Sequence, residues 1–596
     1  MRSLRYVAAA SVLLSAFSGC LLPSFKNVDD APVPQGGGAG VQNAGAAGEE
    51  AGHVGQAGEA GAGSIAPEPV DDVFTVLQGG TLTIAAPGVL ENDAGSSLTV
   101  SAGDGTDTQR PKKYDAVSLL IDSDGSLKFE PQADFFGIYT IEYTVRDKDG
   151  LTATANVTIH VQPVSARLAA VRDGIGGYVI DGAATDGIGT AVSGAGDVNK
   201  DGFDDILIGA PSAGDNGAGR AYVVYGRGKA ASVSLKALPV KSTERSFFDF
   251  DGADGDGVGN SVARIGDLNG DGYSDFAVAA SKAAPAGSVY VLYGGALSGG
   301  IALGSLSAQR GVTLTGDASP IGALIGHAGD VNGDGTPDLL VSGALDNGRV
   351  YAVLGSKALK GGVIDSLPGL FQIDGDLKNE ALPQSLDAVG HVTSDALDEV
   401  VMASFTTVAV LQGQKAAYPP KDDVGISTDG KTGGGWRYYL KANVVPAVAG
   451  AGNVDGDAAG TDDLVLCEAL AAASAQCRVV MSPPVLLDSG WNFTGFSQLP
   501  KLSHGADING DGFSDLLFGD ATKAYVVFGK RSGHTPVDVS ALGDAGFAFE
   551  AETGAQVDSV ATIGDVNGDG IADYAIGDSS ANSGAGSVFV VFGEKY

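Results

Sequence analysis

The chain has 596 residues, of which 92 are glycine and 7% are aromatic, and its formal net charge is −36 at pH 7. This length exceeds what one hydrophobic core serves and predicts two or three domains. Many glycines with few aromatic residues favour short strands and turns over long helices. A chain this acidic repels nucleic acid and anionic lipid, so both are excluded as partners.

The first residues have the pattern of an export signal. Arg2 and Arg5 precede an apolar run over 6–17, and Cys20 follows shortly after it. This pattern resembles a bacterial lipoprotein signal, which implies cleavage before Cys20 and lipid on its thiol. An ordinary secretory signal is the alternative. Because Leu21 rather than aspartate follows the cysteine, similarity to Gram-negative sorting implies the outer membrane or cell surface, with membrane contact through the lipid anchor only.

Two segments of different composition come next. Residues 20–67 are rich in Gly and Ala and nearly free of large apolar residues, which predicts a flexible, disordered tether. Residues 68–164 alternate apolar and polar residues in short runs between turn signals, as half-buried strands do, and predict a β-sandwich. The run from DDVFTV to ATANVTIHV resembles bacterial Ig-like or cadherin-like repeats. That resemblance implies a spacer, with calcium binding at Asp147 and Asp149 as an additional role.

The rest of the chain repeats one acidic loop of nine residues. Five copies read Asp-x-Asn-x-Asp-Gly-x-x-Asp and two are degenerate. In chain order the copies begin at Asp197, Asp267, Asp330, His391, Asn453, Asp507 and Asp565. Their spacings of 54 to 70 residues predict a solenoid or a propeller.

The sequence around the loops favours a propeller. Two short strands precede each intact loop and two follow it, and four strands make a propeller blade. The chain ends after the third strand of the last repeat, whereas strand-like sequence at 177–181 precedes the first repeat. We expect 177–181 to supply the outer strand of the last blade and so close the ring.

The loops have the donors that calcium prefers. Hard oxygen ligands stand at alternate positions, but position twelve is apolar in the five intact copies, which excludes an EF-hand. The repeat instead resembles the FG-GAP repeat of integrin α-subunit propellers over 165–596. The resemblance implies about five Ca²⁺ sites, each using side chains one, three, five and nine and the backbone carbonyl of residue seven.

The ligands implied by the resemblance are Asp197, Asn199, Asp201, Phe203 and Asp205; Asp267, Asn269, Asp271, Tyr273 and Asp275; Asp330, Asn332, Asp334, Thr336 and Asp338; Asp507, Asn509, Asp511, Phe513 and Asp515; and Asp565, Asn567, Asp569, Ile571 and Asp573. The degenerate fifth copy offers a weaker set, namely Asn453, Asp455, Asp457 and Asp463. The predicted fold class is therefore all-β, with a seven-bladed β-propeller carrying calcium loops and an N-terminal Ig-like β-sandwich. The predicted boundaries are 1–19 for the signal peptide, 20–67 for the tether, 68–164 for the sandwich and 165–596 for the propeller.

Other motifs give little support for catalysis. The segment 425–432 fits the phosphate-loop pattern, but glycine and β-like sequence follow it where a helix is required. His327 and His504 each stand three residues before a loop, which predicts packing. Cys467 and Cys477 flank a short segment in an exported chain, which predicts a disulfide, with two buried thiols as the alternative.

The sequence predicts a non-enzymatic cell-surface lipoprotein. Its calcium-stabilised propeller would bind protein or matrix partners, and by analogy with integrins through loops opposite the calcium loops, such as 228–245 and 414–435. The first alternative is a calcium-dependent lectin, for which Trp436 and Trp491 are the candidate sugar contacts. An extracellular hydrolase is the second alternative.

Overall fold

The computed structural model describes most of the chain after the predicted tether. The described residues are 66–101, 118–132, 135–163, 165–228, 231–235, 247–295, 300–317, 320–343, 349–367, 370–374, 384–392, 397–403, 407–413, 435–439, 446–457, 461–471, 474–481, 491–552 and 554–595. Cys20, the segment 425–432 and most of the loops 228–245 and 414–435 lie outside them. Residues 64–596 form one compact unit.

The N-terminal domain is a sandwich of two small sheets. One sheet contains, in spatial order, Asp72–Leu77, Thr152–Gln162, Gly137–Arg146 and Thr99–Ser101. The other contains Leu82–Ile84, Leu127–Glu130 and Ser118–Ile121. Alternate side chains of the long strands point inward, so that Phe129, Tyr143 and Ile159 are fully buried between the sheets. The alternation that predicted half-buried strands is therefore present in the fold.

Seven sheets follow one another through the described residues after the sandwich, and we number them as blades 1 to 7 from the first loop. The strands of blades 1 to 4 are Ala191–Gly196, Asp205–Ala210, Arg220–Val224 and Phe247–Asp251; Val262–Gly266, Asp275–Ala280, Ser288–Leu292 and Gly311–Thr315; Ile321–Gly329, Asp338–Gly343, Arg349–Val353 and Leu370–Asp374; and Ser385–Gly390, Glu399–Ala403, Thr407–Leu411 and Gly435–Tyr439. The strands of blades 5 to 7 are Pro446–Gly452, Asp463–Ala471, Ser474–Val480 and Trp491–Phe496; Lys501–Leu502, Leu516–Asp520, Lys523–Val527 and Gly546–Glu550; and Ser559–Gly564, Asp573–Asp578, Ser587–Val591 and Gly177–Asp181.

The blades close into a ring. The first strand of each blade lies beside the first strand of the next, and the first strand of blade 7 lies beside that of blade 1. The fourth strand of blade 7 is Gly177–Asp181, which pairs antiparallel with Ser587–Val591. This is the closing pair that the sequence predicted. The first strands therefore surround a central channel, and the all-β propeller class is confirmed.

Five blades carry a short fifth strand that the sequence did not indicate. In blades 1, 2, 5, 6 and 7 a segment of two or three residues pairs parallel with the fourth strand, and the segments are Ile301–Ala302, Gly362–Val363, Val537–Asp538, Ser165–Arg167 and Val233–Ser234. Ser165–Arg167 pairs with Gly546–Glu550 of blade 6 before the chain reaches blade 7. The N-terminal segment of the propeller thus adds a strand to two blades, not to one.

Helices are few and short in the part of the chain that the structure describes. The α-helices are Leu168–Arg172 and Ala581–Gly584, and the 3₁₀ turns are Gly88–Leu90, Asp215–Gly217, Leu303–Ser305, Ile364–Ser366, Val539–Ala541 and Gly543–Ala545. None of the helices in the described ranges has the length and apolar character needed to cross a bilayer.

The sandwich packs directly onto the propeller. The rings of Phe136 in the sandwich and Phe549 in blade 6 lie edge to face with centroids 5.6 Å apart, and both belong to one continuous apolar core. Gly176 has a φ of 58° at this junction, and a Cβ there would stand 2.5 Å from the Phe136 ring. Only glycine satisfies both the backbone conformation and this close approach.

Candidate functional site

The acidic loops occupy the same place in every blade. Each connects the first strand to the second, as residues 197–205 do between Ala191–Gly196 and Asp205–Ala210. Because the first strands form a ring, the seven loops lie at one end of the propeller around the channel. We call this the loop end. The segments 228–245 and 414–435 each connect the third strand of a blade to its fourth, and the third strand also ends at the loop end. The prediction that these two segments lie opposite the calcium loops is therefore wrong.

The first aspartate of each intact loop organises the turn. In blade 1, Asp197 accepts the N–H of Asp201 at 3.1 Å through one carboxylate oxygen and the N–H of Gly202 at 3.0 Å through the other. Asp201 then accepts the N–H of Phe203 at 3.0 Å. The same three bonds recur in the loops that begin at Asp267, Asp330, Asp507 and Asp565. The repeated motif therefore specifies one repeated backbone conformation.

The ninth residue connects the loop to the third strand of its blade. Asp205 is fully buried, and its two oxygens accept the N–H groups of Val198 and Gly226, both at 2.9 Å. The corresponding buried acids are Asp275, Asp338, Asp515 and Asp573, and each accepts one N–H of its own loop and one N–H of a glycine after the third strand. The loop donor is the second loop residue except in blade 2, where Asn269 at the third position donates. The acid at position nine thus holds the loop against the end of the third strand, a role that we call the clamp. It is also a candidate ligand.

Burial makes the carboxyl groups at position nine costly to ionise. Burial raises the pKa of Asp205 to about 8, against the two N–H bonds that lower it, and the charges of Asp201 and Asp197 raise it further. The same causes raise the pKa values to about 7 for Asp275 and Asp338 and to about 8 for Asp515 and Asp573. A cation among the three carboxylates of a loop would favour their ionised forms.

The donor set of each intact loop fits calcium chemically. Three carboxylates, one amide oxygen and one backbone carbonyl within nine residues are all hard oxygen donors. In the described residues, however, no group of three or more His, Cys, Asp or Glu side chains is already arranged to hold a metal ion. The carboxylates instead accept N–H groups of the loop itself, and calcium would be held by the oxygen lone pairs that these bonds leave over.

The two degenerate loops keep the bond between the second loop residue and the last acid. In blade 4 Glu399 replaces the ninth aspartate and accepts the N–H of Val392 at 2.8 Å. In blade 5 Asp463 accepts the N–H of Val454 at 3.1 Å, while Thr461 donates from both its N–H and its hydroxyl to Asp457. The bond from the last acid to the loop therefore does not depend on an intact calcium motif.

Sequence reasoning missed the eighth loop residue, which joins neighbouring blades. Its N–H donates to the carbonyl of the first loop residue in the preceding blade at six of the seven junctions, and the seventh has Pro337, which lacks an N–H. Where the eighth residue is Asp204, Asp398 or Asp462, its carboxylate also accepts the N–H of that first residue. Only alignment of the seven copies would have revealed this position.

Three other predicted residues or pairs have structural roles. Trp491 is fully buried, and its indole N–H donates to the carbonyl of Thr535 at 2.9 Å, so it packs rather than faces solvent. Asp147 accepts the N–H groups of Asp149 and Leu151 and so forms a turn. The disulfide between Cys467 and Cys477 joins paired strands of blade 5. The side chain of Trp436 lies outside the described residues.

Comparison with known proteins agrees with this architecture. Residues 64–160 match the family model of the bacterial Ig domain, and residues 189–224 and 258–292 match the FG-GAP repeat. Integrin alpha pat-2 of Caenorhabditis elegans is 33% identical over 137 residues, which are 23% of this chain and 9% of that protein. Integrin alpha-6 of Homo sapiens is 29% identical over 157 residues, which are 26% and 12% of the two chains.

A hydrolase also contains similar sequence. Phosphatidylinositol-glycan-specific phospholipase D of Bos taurus is 30% identical over 165 residues, which are 26% of this chain and 18% of that protein. The chain therefore spans less than a fifth of the length of these curated relatives. From the matched segments and the strand order together, the chain contains a bacterial Ig domain followed by integrin α-like FG-GAP repeats that form a β-propeller.

Proposed function

We propose that this protein is a lipid-anchored surface protein that uses a calcium-stabilised propeller to bind protein or matrix partners. The observation that carries the proposal is the recurrence of one acidic loop, with one hydrogen-bond pattern, at one end of a closed ring that is similar to integrin α subunits. Such a loop stabilises a scaffold, and the scaffold presents its other loops.

Calcium would act on the folded state. In blade 1 the side chains of Asp197, Asn199, Asp201 and Asp205, with the carbonyl of Phe203, would hold the ion. Extracellular calcium modules bind with a Kd on the order of 0.1–1 mM. At ~2 mM calcium, binding to the folded state alone contributes about 1 kcal/mol per site. Five sites of this kind stabilise the ring without requiring a signalling role.

The described contacts orient the propeller relative to the sandwich. Asp72–Leu77 runs parallel to Thr152–Gln162, and the latter strand leads into the propeller. The sandwich therefore begins at its end farthest from the propeller. At its near end Gly137 approaches Glu594, whose N–H donates to the loop of blade 6. The loop end therefore faces the sandwich, and the opposite end of the propeller faces away from it.

The loops at that opposite end differ among blades, as binding loops do. The connection between the second and third strands has nine residues in blade 1, at 211–219, but only two in blade 6, at 521–522. Asn216 donates to Asp254, in the connection from blade 1 to blade 2, at 2.9 Å, so neighbouring loops form one surface. This variation on a constant scaffold supports a recognition surface at this end.

The alternatives receive less support. Because Trp491 is buried, it is not available to stack on a sugar, which weakens the lectin hypothesis. The similarity to the phospholipase covers 18% of that enzyme, so its activity is not transferred to this chain.

The test is binding of the full mature chain to arrays of purified matrix proteins and glycans, in ~1 mM calcium and in chelator. Binding to a protein that chelator abolishes supports the proposal. Binding to glycans alone would make the protein a lectin, and no binding to either array would contradict the platform function. Replacing Cys20 by serine should release the protein from the membrane fraction, and its retention there would contradict the lipid anchor.

A further inference from the structure

Four of the five intact loops contain an asparagine followed by glycine, at positions three and four. This pair of residues is the one most prone to spontaneous deamidation, because glycine has no side chain to hinder attack of its own nitrogen on the asparagine side chain. The pairs are Asn269-Gly270, Asn332-Gly333, Asn509-Gly510 and Asn567-Gly568. Since the four pairs have the same sequence context, the structure around each pair should determine which one reacts.

In three of these loops both reacting groups are held by hydrogen bonds. In blade 7 the N–H of Gly568 donates to Asp565 at 2.6 Å, and the side-chain oxygen of Asn567 accepts the N–H of Asp569 at 2.9 Å. Blades 3 and 6 have the same two bonds. These bonds engage the glycine nitrogen and fix the asparagine amide, so cyclisation must first break them, which slows the reaction.

Blade 2 has neither bond. The N–H of Gly270 and the side chain of Asn269 make no hydrogen bond with any residue that the structure describes. Gly270 is exposed and Asn269 is partly exposed, so water reaches the pair. The difference accompanies the altered clamp of this loop, because Asp275 accepts the backbone N–H of Asn269 itself rather than that of the second loop residue.

A cation also lies beside the pair in blade 2. Lys357, which follows the third strand of blade 3, extends over Gly270, and a Cβ added to Gly270 would stand 3.5 Å from the Nζ of this lysine. At Gly510 and Gly568 the nearest atoms to an added Cβ are all carbon. An ammonium group next to the reacting amide stabilises the negative charge that develops as the ring closes.

We propose that Asn269 is a site of spontaneous deamidation. The nitrogen of Gly270 attacks Cγ of Asn269 and gives up its proton to water, and the new N–Cγ bond closes a cyclic imide. The Cγ–Nδ2 bond breaks, and Nδ2 takes up a proton and leaves as ammonia. Water then adds to one of the two imide carbonyls and opens the ring, which yields aspartate or isoaspartate. Water is the only other reactant.

The two products change the loop of blade 2 in different ways, and this consequence rests on the calcium role proposed above. Aspartate at position three keeps an oxygen ligand and adds a negative charge to the loop. Isoaspartate adds a carbon to the backbone before Gly270 and so displaces Asp271 relative to Asp267. Deamidation would thus alter one calcium site and leave the other four unchanged.

Incubation of the full mature chain in mildly alkaline buffer with chelator, followed by peptide mass mapping, measures deamidation at each loop. Asn269 should react about tenfold or more faster than Asn332, Asn509 and Asn567, which are matched controls within the same molecule. Lys357→Gln should slow the reaction at Asn269 and leave the other three rates unchanged. Because the reaction needs no calcium, a protein that fails to bind calcium would still give these results.

Asp565→Ala tests the protecting bond directly, because it removes the acceptor of the Gly568 N–H. Asn567 should then deamidate faster than it does in the wild type, and near-UV circular dichroism verifies that the variant is folded. If Asp565→Ala does not fold, the four rates in the wild type decide the matter alone. Equal rates in the four loops, or a slower rate at Asn269 than at the others, would overturn the proposal.

Discussion

The acid at position nine of each loop has two roles, as a clamp within the fold and as a candidate calcium ligand. As a clamp, Asp205 accepts two backbone N–H groups while it is fully buried. As a candidate ligand, it would also contribute charge to calcium. The acid at position five, Asp201, is exposed, and it accepts hydrogen bonds from its own loop. Substitutions of the two residues should therefore have different effects on stability when calcium is removed.

Asp205→Ala leaves the N–H groups of Val198 and Gly226 buried without an acceptor, at a cost of about 1–3 kcal/mol for each. We expect Asp205→Ala to lower the melting temperature in chelator as well as in calcium. The matched variant Asp201→Ala should lower it in calcium and much less in chelator. Equal losses in chelator would contradict the clamp.

Asp72 of the sandwich predicts a pH dependence. Burial raises its pKa to about 6, against the hydrogen bond from Tyr143, and the charges of Asp93 and Asp71 raise it further. Because the folded state holds this proton more tightly than the unfolded state, its contribution to stability is full below pH 4 and is lost as the pH rises through about 6.

Asp72→Asn should therefore be more stable than the wild type above pH 6 and nearly equal to it below pH 4. Calorimetric unfolding of the full chain between pH 4 and pH 8 measures this difference. The exposed neighbour provides the control, since Asp71→Asn should give a difference that varies less with pH. A stability gain for Asp72→Asn that is the same at all pH values would contradict this assignment.

At the scale of elements, the segment that enters the propeller closes the ring. Arg172, in the helix Leu168–Arg172, pairs with Asp181 of blade 7 at 2.9 Å and with Glu552 after blade 6 at 2.7 Å. Its guanidinium also lies 5.1 Å from the ring centroid of Phe589. One side chain therefore links the entering helix to two blades.

Arg172→Gln should lower the free energy of unfolding by about 1–3 kcal/mol, because it removes partly buried charged hydrogen bonds. Lys523→Gln is a suitable control, since it removes the exposed pair with Glu550 in blade 6 and should cost less than about 1 kcal/mol. Chemical denaturation in constant calcium measures both. Similar effects of the two substitutions would argue against a special role for the entering helix.

The elements with a periodic signal were predictable from the sequence. The loops, the four-stranded repeat and the closing strand 177–181 all have sequence patterns that recur and can be aligned from one repeat to the next. The strand Ser165–Arg167 has three residues and no alternation to detect, so only its partner in blade 6 reveals it. The contact between Asp387 and His504 spans 117 residues of sequence and depends on a glycine in the blade between them. Such contacts follow from closure of the ring and have no local signature.

At the scale of the whole molecule, the sandwich is fixed to the propeller. The core shared by Phe136 and Phe549 continues from one domain into the other. The shared core at this junction fixes the orientation of the propeller relative to the sandwich. The net charge of −36 is concentrated in part in the loops, so cations at that end would also relieve repulsion across the whole ring.

The most direct test of the calcium-stabilised propeller is the number of calcium ions bound by the full mature chain. Equilibrium dialysis in ~1 mM calcium, followed by elemental analysis, measures it. The five intact loops predict about five ions per chain. Asparagine in place of the aspartates at positions one and five of one loop, Asp197 and Asp201 in blade 1, should remove one ion. A chain that binds no calcium at this concentration, or whose stoichiometry is unchanged by such a substitution, would contradict the account.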